Sequence, residues 1–202
     1  MTPNRRGVRS RELVLDAAER VMAEDGFEAA TLARVVKEAG IPMSSVYHYY
    51  GSKDGILLAV MERGAERFFA DLPDPDRRTG RSAEHLSTVV LTAVQRLERH
   101  PNFLRLLVVF AVQPPQAGDG EVGAVVGRVR EMALERLRKQ IAIAFDEDPR
   151  SSATDQLAHF ALAAFDGAFV ASQADASVDL GRALQHLPRA LVAVRRGLMA
   201  RR

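Results

Sequence analysis

Three tyrosines, a histidine and a lysine stand close together in the stretch SSVYHYYGSK, residues 44–53. They are Tyr47, His48, Tyr49, Tyr50 and Lys53, and the chain contains no other tyrosine. Phenol, imidazole and ammonium groups donate hydrogen bonds, so this cluster indicates a partner that is rich in acceptor oxygens. An isolated aromatic side chain is more often part of a core, because its burial removes a large area from water, and we assign Tyr50 to the core.

Short helices separated by tight turns must position this cluster. The apolar spacing predicts a first helix over about 10–25, which Gly26 ends. Thr31 is a suitable N-cap for a second helix, LARVVKEA, which ends at Gly40. A third helix over about 42–48 follows, because proline is tolerated in a first helical turn. Two short helices joined by a turn that contains glycine are typical of a helix-turn-helix.

The third helix has an outer and an inner side. If it enters the major groove of DNA by its N-terminal end, Met43, Ser44 and Tyr47 face bases and flanking phosphates. Val46 then points inward. Its expected partners in the core are Val35, Ala39 and Ile41, with Phe27 closing the same core.

Positive charge stands on both sides of these helices. Ser52 is expected to cap the next helix, so that Lys53 lies in the first turn, where the helix dipole favours an anion such as a phosphate. Residues 1–11 carry no acidic residue and form a basic arm with Arg5, Arg6, Arg9 and Arg11. A solvated tail is the alternative interpretation of this arm.

The stretch TLARVVKEAGIPMSSVYHYYGSKDGIL resembles the DNA-binding region of the TetR family of transcriptional regulators. Members share a Thr that opens the second helix, an Ala-Gly pair, a Tyr-x-His/Tyr-Phe run and a Lys three residues later. The resemblance covers about residues 8–68. The recognition helix begins unusually, with Pro42, Met43 and Ser44, so the operator sequence cannot be transferred.

The resemblance implies an all-α protein of about nine helices with two domains. Residues 8–68 would form a three-helix helix-turn-helix domain that binds double-stranded DNA, and residues 69–202 a helical bundle that binds an effector and dimerises. The expected DNA-binding residues are Arg5, Arg6, Arg9, Thr31, Arg34, Pro42, Met43, Ser44, Ser45, Tyr47, His48, Tyr49 and Lys53.

Helical periodicity continues in the remaining chain, over 82–100, 121–145 and 153–173, while 102–112 is apolar nearly all round and is expected to be a central helix. These helices carry more large apolar residues than one buried stripe needs. Plain core is one interpretation, and an apolar effector cavity is the other. The candidate ligand-binding residues are Phe68, Phe103, Leu107, Phe110, Gln113, Met132, Phe165, Asp166 and Phe169.

A narrow apolar seam near the C-terminus predicts packing against another helix. Pro188 interrupts the seam, so we expect a kink or a new helix near 187–188. Together with a second apolar face on 153–173, the seam predicts a homodimer built on a four-helix bundle, although docking on the chain's own core is the alternative. The candidate dimerisation residues are Phe160, Ala164, Ala168, Leu184, Leu187, Leu191, Val194 and Leu198.

Other classes of protein find little support in the sequence. The chain has no cysteine, and its five histidines do not fall at metal-ligand spacing, so we expect no metal site and no cofactor. No apolar run is long enough for a membrane span or shaped like a secretory signal, which predicts a cytoplasmic protein. No spacing of nucleophile and base suggests an enzyme. A helical partner-binding scaffold would leave the tyrosine cluster unexplained.

The sequence therefore predicts a DNA-binding transcriptional regulator. By its resemblance it would be a repressor that a small apolar or amphipathic effector releases from a palindromic operator. An effector-independent or activating regulator is the alternative.

Overall fold

The computed structural model describes residues 5–26, 29–72, 76–99, 105, 107, 108 and 120–200. Within these residues every regular element is an α-helix and no strand occurs, so the prediction of an all-α fold is confirmed. The helices are α1 Arg5–Asp25, α2 Leu32–Ala39, α3 Met43–Tyr50, α4 Lys53–Asp71, α5 Ser82–Leu97, α6 Gly120–Phe145, α7 Ser152–Ala174, α8 Leu180–Leu184 and α9 Leu187–Met199.

The backbone divides into two compact units. Among the described residues, the first unit holds α1 to α3, α4 as far as Phe69, residues 105, 107 and 108, and α6 as far as Val129. The second unit holds 70–72, 76–99 and 130–200. Residues 105, 107, 108 and 120–129, which the sequence assigns to the C-terminal region, belong to the first unit.

Helix α1 provides one wall of the core of the first unit. Its apolar residues recur at helical spacing, and Val14, Ala17 and Val21 are almost completely buried. Gly26 ends the helix in a left-handed conformation with φ 81°, as predicted. The helix begins at Arg5 rather than near residue 10, so the basic arm is helical from Arg5 onward. Apolar periodicity missed these turns because an exposed helical turn needs no apolar residue.

Helices α5, α7, α8 and α9 pack together in the second unit. The buried positions of α5 include Leu86, Val90 and Val94, which recur at the helical spacing that the sequence shows over 82–100. Helix α8 ends at Leu184 and α9 begins anew at Leu187, with a proline in its first turn. The break expected near 187–188 is therefore present, because proline has no N–H to continue the preceding helix.

A polar cluster lies inside the second unit. His85 of α5 is 1% exposed, and its Nε2 lies 3.2 Å from Oε1 of Gln140 on α6. The backbone N–H of Thr79 donates to Nδ1 of His85 across 3.3 Å. Because Nδ1 accepts, Nε2 carries the proton and donates to Gln140. The burial of His85 was not foreseen from the sequence.

Several predicted features lie outside the described residues. These are Phe27, most of the central helix at 102–112, and the candidate ligand-binding residues Phe103, Phe110 and Gln113.

Candidate nucleic-acid interface

The turn between α2 and α3 is held by local hydrogen bonds. Oγ1 of Thr31 accepts from the backbone N–H of Arg34 across 3.2 Å, which confirms the predicted N-cap. Gly40 ends α2 with φ 65°, and its N–H donates to the carbonyl oxygen of Val36 across 3.0 Å. A residue with a side chain would be strained at this φ, so glycine sets the angle at which the chain enters α3.

Burial of one side of α3 fixes which side faces outward. Val46 is 1% exposed and packs in the same core as Val35, which is also 1% exposed. Tyr47, the next residue, is 52% exposed. Ser44 and His48 are exposed as well, whereas Met43, Ser45, Ala39 and Ile41 are only half-buried. The outward side of α3 thus carries hydroxyl and imidazole groups that reach solvent.

A tight corner joins α3 to α4. Gly51 has φ 72°, and the N–H of Ser52 donates to the carbonyl oxygen of Tyr50 across 2.8 Å. Oγ of Ser52 accepts from the N–H of Gly55 across 3.0 Å, so Ser52 caps α4 as predicted. Lys53 is the first residue of α4, at the positive end of the dipole of that helix.

Gly55 permits this corner to be tight. A Cβ atom at position 55 would overlap the carbonyl oxygen of Tyr50 and would be in tight contact with its carbonyl carbon. Because that obstacle is backbone, no side-chain movement can relieve it. Glycine at position 55 therefore keeps the end of α3 against the first turn of α4.

The two tyrosines at the end of α3 hold α1. The Tyr50 hydroxyl donates to the carbonyl oxygen of Arg11 across 3.0 Å. The Arg11 guanidinium carbon lies 5.1 Å from the centroid of the Tyr49 ring, within the range of a cation–π interaction. Tyr50 is half-buried, not fully buried as its assignment to the core implied, since its hydroxyl lies at the seam between α1 and α3.

The environment of Tyr50 favours its neutral form. Burial, opposed by the positive charge of Arg11, raises the pKa of Tyr50 to about 12. The neutral hydroxyl keeps the proton that it donates to Arg11.

An ion-pair cluster fastens α4 to α1. Arg63 of α4 is 8% exposed and contacts Glu12 at 3.0 Å, Asp16 at 2.7 Å and Glu19 at 2.9 Å. Burial alone would lower the pKa of Arg63, but the hydrogen bonds and negative charges of these carboxylates outweigh it and raise the pKa. Nε of Arg63 is buried without a hydrogen-bond partner in the described structure. The cluster therefore holds the helices that support α3.

The remaining expected DNA-binding residues differ in their surroundings. Arg34 forms ion pairs with Glu24 and Asp25 at the end of α1, so its side chain braces α2 instead of projecting freely. Arg9 is exposed on the second turn of α1. Arg5 and Arg6 belong to the first turn of α1, and their side chains lie outside the description.

The described candidate ligand-binding residues do not share one environment. Phe68, in the first unit, and Phe169, in the second, are buried, whereas Met132 is 39% exposed. Asp166 forms an ion pair with Arg130 across 2.7 Å, so the carboxylate proposed as a polar handle is already engaged. Leu107 and Phe165 are half-buried.

The candidate dimerisation residues fall into two groups. Leu184, Leu187 and Leu191 are at most 6% exposed within a single chain, where α9 packs on α5 and α7. They are part of the protomer core and present little surface to a second subunit, because a seam with 3,4 spacing can serve either purpose. The positions that reach the surface are Phe160 and Val194, which are exposed, with Ala164, Ala168 and Leu198 half-buried.

From the sequence, no structural role was assigned to Arg11, Gly55 or Arg63. The hydrogen bond that the Tyr50 hydroxyl donates to Arg11 was not foreseen either. Arg11 was counted only as part of the basic arm. Arg63 carried a usable signal, because an arginine inside the apolar face of α4 requires acidic partners. Gly55 also carried one, since a glycine in a first helical turn costs stability unless space demands it.

Metal-binding clusters and membrane-spanning helices are both absent from the described residues. No group of His, Cys, Asp or Glu there has a geometry that could hold a metal ion. Among the described helices, none has a stretch both long and apolar enough to cross a bilayer.

Comparison of sequences identifies relatives. Residues 14–60 match the family model of bacterial regulatory proteins, tetR family. The HTH-type transcriptional regulator BetI of Brucella canis is 25% identical over 163 residues, which cover 81% of this chain and 79% of BetI. The match therefore extends well beyond the helix-turn-helix.

Comparison of structures identifies the same kind of protein. SmeT, the repressor of a multidrug efflux pump of Stenotrophomonas maltophilia, in its complex with triclosan has a TM-score of 0.71 at 22% identity. That likeness covers 91% of this chain and 90% of SmeT. FadR of Bacillus subtilis, in complex with stearoyl-CoA, has a TM-score of 0.70 at 19% identity, covering 91% and 98%. At these identities the likeness establishes the fold.

Proposed function

Because the chain belongs to the TetR family of bacterial transcriptional regulators, we propose that it represses transcription by binding an operator through α3. One observation carries this proposal. The burial of Val46 turns Tyr47 outward, and the corner at Gly51 brings Lys53 to a helix N-terminus close behind α3. Hydroxyl and ammonium groups, together with the positive end of a helix dipole, bind phosphate oxygens. The relatives are regulators of transcription and not enzymes. Because an operator lies on the chromosome, we also propose that the protein acts in the cytoplasm.

We assign the recognition of the DNA base sequence to the start of α3. Met43 and Ser44 stand in its first turn, where side chains of a recognition helix reach base edges. Tyr47, Tyr49 and Lys53 are assigned to phosphates, and we leave Arg34 out of the direct contacts while its guanidinium is held by Glu24 and Asp25.

A homodimer supplies the second recognition helix. The two half-sites of a palindromic operator lie about 34 to 36 Å apart, and one copy of α3 cannot reach both. Helix α7 exposes a face of apolar and small residues, called here the α7 face. Its residues are Phe160, Ala163, Gly167 and Val170, whose spacing of three and four places them on one side of the helix. We propose this α7 face, with Val194 of α9, as the dimer interface.

The effector is proposed to be an apolar or amphipathic small molecule. SmeT binds triclosan and FadR binds stearoyl-CoA, and both have folds similar to this one. An effector of that class would favour one conformation and release the operator by its differential affinity.

Fluorescence anisotropy with the intergenic DNA beside the gene tests the proposal, at stated salt concentrations. The wild-type protein should bind at nanomolar concentration. Tyr47→Phe and Lys53→Ala should weaken binding to all sequences alike, and Lys53→Ala should also lower the slope of log affinity against log salt by about one per protomer. Substitutions of Met43 or Ser44 should change the preferred sequence. A wild-type protein that binds neither this DNA nor any site selected from random DNA contradicts the proposed function.

A further inference from the structure

Arg11 of α1 is held by two residues that lie 38 and 39 positions later. The Tyr49 ring faces its guanidinium at 5.1 Å, and the Tyr50 hydroxyl binds its carbonyl oxygen at 3.0 Å. Side chain and backbone of one residue are thus both fixed against the end of α3. An exposed arginine that serves only to keep a surface solvated does not require these two contacts.

The charge of Arg11 is not neutralised by an ion pair within the described residues. The next residue, Glu12, is engaged by Arg63 at 3.0 Å and by Arg67 at 3.1 Å. No carboxylate of the described residues forms an ion pair with Arg11, whose side chain is exposed. A guanidinium stacked on an aromatic ring keeps its N–H edge available for an acceptor.

The position of Arg11 favours phosphate over base edges as that acceptor. It lies at Tyr49, on the last turn of α3, away from the first turn that reads bases. A guanidinium fork matches two phosphate oxygens, and phosphate contacts fix the orientation of a protein on the duplex.

We propose that Arg11 binds a phosphate of the operator and that Tyr50 is the positioning residue that fixes Arg11 against α3. This inference rests on the proposed function, and it adds Arg11 and Tyr50 to the residues that serve DNA binding. Since the hydroxyl of Tyr50 is directed at the Arg11 carbonyl, Tyr50 acts through Arg11 and makes no contact of its own with DNA.

Operator binding by the full-length protein tests both roles, with Arg20→Gln as the matched control. Arg20 lies on the same helix, but Glu38 already pairs with it at 3.1 Å. Arg11→Gln should weaken binding about tenfold and lower the salt slope by about one per protomer, while Arg20→Gln changes neither. Arg11→Lys, which keeps the charge and loses the fork, should restore the slope but only part of the affinity.

A double-mutant cycle tests the positioning role. Tyr50→Phe removes only the hydroxyl and should weaken binding about threefold in the wild-type background. In the Arg11→Gln background it should have no further effect, because the residue through which it acts is gone. Equal losses in both backgrounds would show that Tyr50 acts on stability or on DNA directly.

The outcomes separate this inference from the proposed function. If the wild-type protein does not bind DNA, or if Lys53→Ala is silent, the proposed function is at fault. If the wild type binds, Lys53→Ala weakens it, and Arg11→Gln behaves like Arg20→Gln, the assignment of Arg11 is overturned. Melting curves of each variant establish that it is folded, and Arg11→Lys decides the matter should Arg11→Gln be unstable.

Discussion

Nη1 of Arg63 on α4 lies 2.7 Å from Oδ1 of Asp16 on α1, and the arginine is 8% exposed while the aspartate is 45% exposed. A buried cation therefore meets a carboxylate at the edge of the solvent. Glu12 and Glu19 complete the surroundings of Arg63, and they lie about one helical turn before and one turn after Asp16 on the same face of α1. The support of the recognition helix is thus ionic as well as apolar.

Arg63→Met should destabilise the protein by about 1 to 3 kcal/mol, because three carboxylates lose their buried partner. The loss stays below that of a fully buried pair, since water reaches Glu12 and Asp16. Urea unfolding followed by circular dichroism measures it. Arg67→Met is the control, because Arg67 is half exposed and its pairs should contribute under about 1 kcal/mol. Equal effects of the two variants would contradict the central role of Arg63.

Gly55→Ala should disturb the corner between α3 and α4, since the new Cβ would meet the Tyr50 carbonyl. We expect a loss of about 1 to 3 kcal/mol in stability and weaker operator binding. Gly127→Ala in α6 is a matched control, because position 127 has open space around a Cβ. It should stabilise by about 0.5 to 1 kcal/mol by helix propensity. An alanine tolerated equally at both positions would show that the corner is not tight.

Alkaline pH should loosen the contact between α1 and α3. The pKa of Tyr50 is raised from 10.0 to about 12, so the folded state favours the protonated phenol. Its contribution to stability is complete below pH 10 and is lost as the pH rises through about 12. Absorbance at the tyrosinate band should show an ionisation near pH 12 that Tyr50→Phe lacks. If the variant retains that late step, the raised pKa belongs elsewhere.

Charge on the α7 face should separate the subunits. Val170 is 46% exposed in the single chain, and Val170→Asp should raise the dimer dissociation constant at least about 30-fold while the melting behaviour of the protomer is kept. Analytical ultracentrifugation measures the change. Leu191→Asp is the contrasting variant, because Leu191 is 2% exposed in the protomer core and an aspartate there should unfold the chain. A Val170→Asp protein that remains dimeric would move the interface away from α7.

Local signals in the sequence located the helix-turn-helix correctly. Thr31 as N-cap, Gly40 in a left-handed conformation and Ser52 as the cap of α4 are each decided by a few neighbouring atoms. The burial of Val46 and Val35 likewise follows from helical periodicity. Such features can be read from the chain because their causes lie within one or two turns.

The seam of leucines near the C-terminus shows a limit of prediction from helical periodicity. A 3,4 spacing states that Leu187 and Leu191 face another helix, but it does not say whose helix. The structure places α5 and α7 of the same chain there, so these leucines stabilise the protomer. Partner choice depends on the three-dimensional route of the chain, which periodicity does not contain.

The sequence by itself determined that the chain is helical, that α2 and α3 form a helix-turn-helix, and which side of α3 faces outward. The tertiary structure alone decided that Tyr50 reaches Arg11, that Arg63 gathers the carboxylates of α1, and that Gly55 makes room for a carbonyl. The physical reason is how far apart along the chain the interacting residues lie. Caps and periodicity depend on neighbours within a turn or two, whereas these contacts join residues up to 51 positions apart or depend on the packing of one helix end against the next.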